Sequence, residues 1–531
     1  MSTVLILGGG VSGLSAGIHC LKEGFDVTIC EKHIIAGGNL TGWNRQGFHI
    51  DNCVHWLNGT NPNASVYKLW ETLGVIKDPK TDIYNADVLY TSEKDGETAT
   101  LYRDLDRTEK ELLEKYPADK KEIKRFFKAT RTYQGMAHIR GVNHDRRNNF
   151  FELITGLPSM LRYFKMSIKS LRKHFKTPVL KEFVGDLFMS ENFTVLAMIM
   201  TIGAFCADNA GLPVGGSLKM AETIEKTFKD LGGVILKNKE AVKINMEGKK
   251  AVSVTFKDGS EMSADFYIAS MDTKVLFDKL LDVPMPNYLS KKYESKKSER
   301  FSSINVAFSL DMEKVPFEEN YFFTADEKYD FKIKNHRVML REYGYCKSFA
   351  PEGMNVLQTM SFTNEEEAAM FISLREQDIK EYKLLKEEIG NTVLKLVEEE
   401  FPEFKGHLKV IDVWTPATYK RYSGSEVGSW MSFVLGPKVV PSMLQSVIPG
   451  VSNVLISSQW LQSPGGLPVA AGAGKSAATA LKDIYELEKK AKESFEKASK
   501  KASEKFEKSM NKATDKLEKA KEKALKKFDK H

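Results

Sequence analysis

The feature that most constrains the fold of this chain is a glycine-rich loop placed directly after a short apolar run. The run Thr3–Leu7 predicts a buried strand, and the periodic residues from Val11 onward predict a helix. Between them Gly8, Gly10 and Gly13 form the pattern G-x-G-x-x-G. In a dinucleotide-binding unit these glycines permit a tight turn, a close approach of the backbone to a pyrophosphate, and close packing of the helix. The segment therefore predicts a dinucleotide-binding strand–loop–helix unit.

The start of this predicted helix offers backbone N–H groups to a phosphate. Val11 and Ser12 occupy its first positions, where the helix dipole favours negative charge. A second predicted strand, Asp26–Cys30, ends in Glu31, eighteen residues after the last loop glycine, where an acid can bind ribose hydroxyls. Lys32 follows it and is included in the expected site. A solvated glutamate at a strand end is the alternative interpretation.

Length and composition limit the classes of protein to which this chain can belong. With 531 residues, 42% of them hydrophobic, the chain is long enough for at least two domains. No basic region precedes the short N-terminal apolar stretch, so we expect no signal or transit peptide and a cytoplasmic location. Five scattered cysteines without C-x-x-C spacing favour reduced thiols and argue against a structural metal. No uncharged run reaches the roughly 18 residues of a membrane-spanning helix.

Two further glycine-rich segments divide the chain. One lies around residues 211–216 and precedes a periodic run and three strand-like stretches, and the other, at 463–474, leads into a helix. This alternation predicts one domain inserted twice into another. We expect a discontinuous nucleotide-binding domain of residues 1–76, 206–275 and 451–483, and a substrate domain of residues 77–205 and 276–450.

Three stretches, at residues 8–56, 213–272 and 453–480, carry a family resemblance through their order and separation. They resemble the flavin-dependent group of phytoene desaturases, carotenoid isomerases and retinol saturases, which is related to amine oxidases. The resemblance implies an α/β fold in which an α+β substrate domain is inserted into a Rossmann-type domain. It also implies FAD as the cofactor.

The same resemblance implies which residues hold the flavin. Gly37 and Gly38 would cover its phosphates and ribityl chain, and Val242 would border the adenine. Asn39 stands where related sequences often carry arginine, so neutralisation of phosphate by that arginine is absent. Gln459 stands where many carry an acid and must substitute by hydrogen bonding. The remaining expected contacts come from the C-terminal glycine-rich segment: Gly465, Gly466, Leu467 and Pro468.

His55 and the neighbouring Trp56 are expected beside the flavin ring. When a hydride passes through flavin N5, the partner proton needs an acid or base nearby. We expect His55 to be that group, and a core histidine bonded to backbone is the alternative. Asp51 is expected to brace the loop; together with His55 it resembles the saturase branch of the family.

The resemblance implies an enzyme that saturates or desaturates carbon–carbon bonds of a long lipophilic polyene, such as a carotenoid, a retinoid or another isoprenoid. The direction depends on the available electron partner and stays open. A flavin-dependent cis-trans isomerase is one alternative. A non-catalytic carrier of lipids or prenyl groups on the same fold is another.

The C-terminal segment 484–531 repeats its apolar residues every eleven positions, a period of about 3.67 residues per turn that predicts a helix with one apolar stripe. The segment contains 16 Lys and 10 Asp or Glu, so it carries most of the net charge of +7. The large residues of the stripe are Ile484, Phe495, Phe506, Leu517 and Phe528.

This amphipathic tail is expected to attach the protein peripherally to an anionic membrane surface. A coiled coil, a solvated helix and an extension of little function are the alternatives. A basic amphipathic helix over residues 159–175 is a second possible membrane contact, unless it packs against the protein's own core. Nucleic acid is disfavoured as a partner because the tail lacks arginine and its acids are interspersed.

Overall fold

The computed structural model describes residues 2–139, 158–188, 190–295, 298–439 and 444–528. Contacts divide the chain into the units Met1–Ala478 and Thr479–His531. Among the helices that the structure describes, none combines the length and the apolar character needed to cross a membrane.

A five-stranded parallel sheet is assembled from separated parts of the first unit. Leu7 lies beside Cys30 on one side and beside Ala269 on the other, so these strands end at the same edge of the sheet. The loops that follow the strands therefore meet at that edge. In spatial order the strands are Val234–Leu236, Asp26–Cys30, Thr3–Leu7, Phe266–Ala269 and Val454–Ile456.

Different layers contact the two sides of this sheet. The helices Val11–Lys22 and Gly216–Asp230 pack together so closely that a Cβ added to Gly17 would lie 2.5 Å from Cε2 of Phe228. Leu5 and Leu7 instead contribute to an apolar cluster shared with a small antiparallel sheet. That sheet consists of Ala241–Glu247, Lys250–Phe256 and Glu261–Met262.

A seven-stranded sheet forms the centre of the second region. Its pairs are antiparallel, except that Asn320–Thr324 runs parallel to Val88–Lys94. In spatial order the strands are Leu408–Trp414, Ser302–Leu310, Asn355–Thr363, Arg337–Glu342, Asn320–Thr324, Val88–Lys94 and Glu97–Tyr102.

The two faces of the seven-stranded sheet pack against different helices, because successive side chains of a strand point to opposite faces. In the strand Arg337–Glu342, Leu340 enters an apolar cluster with residues of the helix Ile379–Glu400. Its neighbour Met339 enters a different cluster, which contains residues of the helix Val195–Phe205.

Shorter elements connect these layers. The remaining strands are Gly42–Arg45, Phe48–Asp51, Leu57–Asn58, Ile83–Tyr84 and Ala210–Pro213. The remaining α-helices are Tyr67–Thr72, Pro79–Asp82, Leu105–Lys115, Lys120–Ile139, Ile168–Arg172, Pro178–Asp186, Thr273–Val275, Asn287–Glu294, Glu365–Gln377 and Pro416–Ser423. One-turn helices span Pro117–Asp119, Leu276–Leu280, Lys347–Phe349, Pro402–Phe404 and Gln459–Leu461.

The prediction of a single amphipathic helix over residues 159–175 is wrong. Residues 158–164 are helical, but Ser167 is extended, pairs with Thr194 and caps a separate helix, Ile168–Arg172. The apolar side chains of Ile168, Leu171 and Phe175 lie in the core of the first unit. They pack against the protein itself and are not available to a membrane.

The chain ends in the helix Leu467–Phe528. In the second unit five large apolar side chains of this helix are exposed: Leu487 is 67% exposed, Phe495 75%, Phe506 70%, Met510 53% and Leu517 60%.

A buried ion pair ties the helix Pro178–Asp186 to the seven-stranded sheet. Arg337 donates from Nε to Oδ1 of Asp186 over 2.8 Å and from Nη2 to Oδ2 over 2.6 Å. Ser92 Oγ donates to the same Oδ2 over 2.6 Å. Because the Asp186 carboxylate is buried, its charge depends on these partners.

We expect Asp186→Asn to lower the free energy of unfolding by about 3 kcal/mol, because it leaves the largely buried guanidinium of Arg337 without its paired carboxylate. Urea denaturation of the full chain measures the change. Lys226→Gln breaks the exposed pair with Asp230 and serves as the control, with an expected loss below about 1 kcal/mol. Equal losses in the two variants would contradict the importance of the buried pair.

Candidate functional site

A cavity of about 670 Å³ opens at the carboxyl edge of the five-stranded sheet. The parallel register brings three loop starts to this edge: Gly8 after Thr3–Leu7, Glu31 after Asp26–Cys30 and Ser270 after Phe266–Ala269. All three residues line the cavity. The cavity then continues to the face of the seven-stranded sheet that carries Met339.

The first glycine loop leaves a helix N-terminus open to the cavity. Gly8 has φ 104°, and a Cβ at this position would lie 2.3 Å from the Ser270 carbonyl oxygen. Gly10 is the N-cap of Val11–Lys22, which has no side-chain cap and no acid in its first turn. The N–H groups near Val11 and Ser12, both in the cavity wall, are therefore suited to an anion.

Gly10 and Gly13 have different places in this loop. A Cβ on Gly10 would meet nothing closer than the Gly38 Cα at 3.9 Å, so the open space beside it belongs to the cavity. Gly13 was expected in the cofactor site, but it does not line the cavity. A Cβ on Gly13 would lie 2.0 Å from the Gly8 carbonyl oxygen, so its role is close packing of helix against loop.

Glu31 is buried and is not the solvated glutamate of the alternative interpretation. Its Oε2 accepts a hydrogen bond from the Gly9 N–H over 2.7 Å, and its Oε1 accepts one from the His33 N–H over 2.9 Å. The carboxylate thus braces the glycine loop while it lines the cavity. Each oxygen keeps a second lone pair that can accept a bond from a ligand hydroxyl.

The second glycine pair lies against the first loop. The Gly37 N–H donates to the Gly9 carbonyl over 2.8 Å, and Gly37 and Gly38 have φ values of 123° and 62°. At Gly37 a Cβ would lie 2.4 Å from the Leu40 carbonyl oxygen, so this turn requires glycine. Both glycines and Asn39 line the cavity.

The C-terminal glycine loop forms another wall. Gly466 has φ 92° and precedes the helix whose first residues, Leu467 and Pro468, line the cavity. Gln459 also lines it, but its Oε1 accepts from the Gly466 N–H over 2.8 Å and its Nε2 donates to the Trp430 carbonyl over 3.2 Å. Its amide therefore braces this loop, a role that the sequence did not predict.

The far end of the nucleotide side is lined by Val242, Lys239 and Lys32. Lys32 Nζ donates to the Arg421 carbonyl over 3.2 Å, and burial lowers the pKa of its ammonium. Val242 is 41% exposed, so it forms part of the rim.

His55 and Trp56 line the cavity between its nucleotide and apolar parts. His55 Nδ1 lies 3.1 Å from Nη1 of the buried Arg341. Burial first, and the charge of Arg341 second, lower the pKa of His55 to about 3. The imidazole is therefore neutral near pH 7, and its observed partner is a side chain rather than the backbone of the alternative interpretation.

Asp51 braces this segment, as predicted. Its Oδ1 accepts from the Ser217 N–H over 2.7 Å and its Oδ2 accepts from Ser217 Oγ over 2.9 Å. The Val54 N–H in turn donates to Ser217 Oγ over 2.9 Å. This chain of bonds joins the loop that carries His55 to the start of the helix Gly216–Asp230.

The cavity continues into an apolar arm. Met198 and Phe205 are buried in the core, and Thr201 of the same helix lines the cavity. Aromatic, leucine and methionine side chains line the arm: Leu89, Leu187, Phe188, Phe322, Met339, Met360, Phe362, Trp430 and Met431. Such walls fit a long apolar ligand.

Sequence reasoning missed two contributors to this region. Arg341 follows the apolar run Val338–Leu340, but the sequence does not show which residue its side chain contacts. Tyr419 and Tyr422, in the segment 416–424, also line the cavity.

The residues present fit FAD. An uncapped helix start and the open space beside Gly10 suit a pyrophosphate, and Glu31 suits a ribose. Asn39 Oδ1 and Trp430 Nε1 belong to lining residues and are buried without hydrogen-bond partners among the described residues. Buried polar atoms of this kind are normally satisfied, and a flavin carries groups that can satisfy them.

Relatives with curated descriptions agree with the family resemblance seen in the sequence. A chloroplastic prolycopene isomerase of Daucus carota is 22% identical over 443 residues, covering 80% of this chain and 71% of its own. The all-trans-retinol 13,14-reductase of Danio rerio is 23% identical over 472 residues, covering 80% and 76%. A phytoene desaturase of Cercospora nicotianae is 25% identical over 361 residues, covering 63% and 56%.

Solved structures confirm the predicted fold class. An oxidoreductase from Methanosarcina mazei aligns with a TM-score of 0.57 at 14% identity, covering 91% of this chain and 100% of its own. A putrescine oxidase variant aligns with a TM-score of 0.52 at 14% identity, covering 91% and 99%. The model of the family described as flavin containing amine oxidoreductase matches residues 11–482. This chain therefore belongs to the family of flavin-containing amine oxidoreductases, whose flavin the cradle described above fits.

Proposed function

We propose that this protein is an FAD-dependent oxidoreductase that saturates or desaturates carbon–carbon bonds of a long lipophilic polyene at a membrane surface. The observation that carries the proposal is one continuous cavity with two chemically different ends. Backbone N–H groups and Glu31 line one end, and apolar and aromatic side chains line the other. The relatives named for carotenoid and retinoid substrates support a polyene as the occupant of the apolar end.

The residues at the nucleotide end hold the cofactor in this proposal. The helix start at Val11 and Ser12 binds the pyrophosphate, Glu31 binds the ribose, and Lys32 and Val242 border the adenosine. Gly37, Gly38 and Asn39 lie along the phosphates and the ribityl chain. In this proposal the FAD-binding domain comprises residues 1–76, 206–275 and 451–483. The substrate domain comprises residues 77–205 and 276–450.

Residues of the apolar arm orient the substrate. When FAD is bound, its N5 supplies the hydride-transfer partner for the substrate carbon that is oxidised or reduced. Phe188, Phe322 and Phe362 hold an extended apolar chain and exclude water from it. Leu467 and Pro468, at the start of their helix, would hold the ring end of the cofactor.

A cis-trans isomerase is the second candidate, favoured by the similarity to prolycopene isomerases over 80% of this chain. The two candidates differ in the electron count of the product. A saturase or desaturase changes the mass of its polyene by two hydrogens, whereas an isomerase leaves the mass unchanged.

The purified chain is expected to carry about one FAD, visible in its absorbance. We expect Gly10→Val to reduce FAD affinity at least about tenfold, or 1.4 kcal/mol, because the new side chain enters the open space of the cradle, where its Cβ meets nothing closer than the Gly38 Cα at 3.9 Å. Gly472→Val is the control, since a Cβ there meets nothing within 4 Å and the residue lies outside the cavity wall. Titration of each apoprotein with FAD measures both affinities.

Unchanged affinity in Gly10→Val would contradict the placement of the pyrophosphate. A colourless wild-type protein that binds lipid would favour the carrier.

Lipids that co-purify with the FAD-loaded protein are expected to contain a conjugated polyene. Mass spectrometry before and after anaerobic reduction of the flavin identifies the polyene and the direction of the reaction. A gain of two hydrogens on reduction supports saturation, and a loss of two hydrogens from a substrate supplied to the oxidised enzyme supports desaturation. An isomer of unchanged mass would overturn both in favour of the isomerase.

The exposed apolar stripe of the tail is proposed to bind an anionic lipid surface. Phe495, Phe506 and Leu517 are each at least 60% exposed, and the segment carries 16 Lys against 10 acids. Near an anionic surface each lysine contributes about 1 kcal/mol, in addition to burial of the apolar side chains.

We expect deletion of residues 484–531 to leave the FAD content unchanged and to abolish sedimentation with vesicles that contain phosphatidylserine. The triple variant Phe495→Gln, Phe506→Gln and Leu517→Gln should also lose binding, whereas Thr514→Gln, in the same helix, should not. Vesicles of phosphatidylcholine alone should bind less of the wild-type chain. Equal sedimentation of the wild-type and triple-variant chains would contradict this role, and a tail-dependent dimer without vesicle binding would favour a coiled coil.

A further inference from the structure

Arg341 is a buried cation beside the cavity. The residue is 1% exposed and lies in the strand Arg337–Glu342, on the same face as Met339 by the alternation of the strand. Its Nη1 donates to the Val54 carbonyl over 2.9 Å and contacts His55 Nδ1 over 3.1 Å. Its Nε and Nη2 have no acceptor among the residues that the structure describes. Both hydrogen bonds that this guanidinium makes among the described residues are therefore to the segment that carries His55.

The chemistry of the contact sets the tautomer of His55. A guanidinium has N–H donors and no acceptor, so His55 Nδ1 must accept this bond through its lone pair. The ring proton of the neutral imidazole then lies on Nε2. Within the described residues no hydrogen bond joins Nε2 to another group, and His55 lines the cavity. Nε2–H is therefore available to a ligand there.

We propose that Arg341 is a positioning residue that holds His55 as the neutral Nε2–H tautomer, so that the imidazole offers a hydrogen-bond donor to a flavin or polyene in the cavity. The inference rests on the proposed function for the identity of that ligand. It replaces the acid or base role expected from the sequence, because the lone pair of Nδ1 is engaged and Nε2 already carries a proton. His55 then neither gains nor loses a proton during turnover.

The charges around the pair agree with a neutral imidazole. A second positive charge beside the buried guanidinium is unfavourable, and burial and Arg341 together lower the pKa of His55 to about 3. The titratable groups that act on Arg341 are Tyr343, Tyr345, Glu319 and Asp51. Burial raises the pKa of Asp51 to about 6 and that of Glu319 to about 7. When these two carboxyl groups protonate at lower pH, the guanidinium loses counter-charge, which makes protonation of His55 still less favourable.

Nitrogen-15 NMR of the histidine rings in the FAD-loaded full chain tests the proposal, with His55→Gln used to assign the signals. We expect the wild-type His55 to show the Nε2–H pattern without a change between about pH 5.5 and about pH 8. In Arg341→Met we expect a mixture of tautomers and a raised His55 pKa, because a donor and a charge are removed. Arg341→Lys keeps the positive charge and N–H donors, so it should restore the wild-type tautomer.

Arg300→Met is the matched control, since Arg300 is also a buried arginine but pairs with Glu365 and Glu426. It should leave the His55 signals unchanged. An Nδ1–H or charged His55 in the wild type would overturn the proposal, as would a wild-type tautomer in a folded Arg341→Met. If Arg341→Met does not fold, the His55 signals of the wild type and of Arg341→Lys test the proposal. The tautomer is read equally in a protein without FAD, so failure of the proposed function and failure of this inference are distinguishable.

Discussion

The parallel register of the five-stranded sheet is the constraint on which the rest of the structure depends. Leu7, Cys30 and Ala269 are aligned across three strands, so the loops after them lie at one edge. The contact of the Gly37 N–H with the Gly9 carbonyl then holds the two N-terminal glycine loops together. Neither loop alone encloses a nucleotide, and the alignment makes a cradle from residues far apart in the chain.

The site combines two environments that need different physical support. Backbone N–H groups, a helix start and Glu31 suit a polar nucleotide at one end, while the face of the seven-stranded sheet supplies apolar walls at the other. His55 lies between them and is neutral because burial and a neighbouring cation both disfavour its charged form. The strand with Met339 and Arg341 thus shapes the apolar arm and also places the histidine.

Several features could be predicted because their cause is local. The loop glycines predict a left-handed or closely packed backbone. The position of Glu31 directly after a strand predicts its place in the site. Predictions failed where a side chain has two possible partners. In the segment 159–175 the helix breaks at Ser167, and the protein itself covers Ile168, Leu171 and Phe175. Hydrophobic spacing shows that a face is buried and does not show what buries it.

By itself the sequence determined the family, the glycine loops and the composition of the tail, since these depend on residue type and spacing along the chain. The tertiary structure alone decided that Gly13 lies outside the cavity wall, that Gln459 braces the C-terminal loop, and that Arg341 contacts His55. Arg341 and His55 are 286 positions apart, and no local preference connects them. Their contact exists because strand pairing in one sheet and hydrogen bonds of Asp51 to Ser217 place both side chains at the same wall.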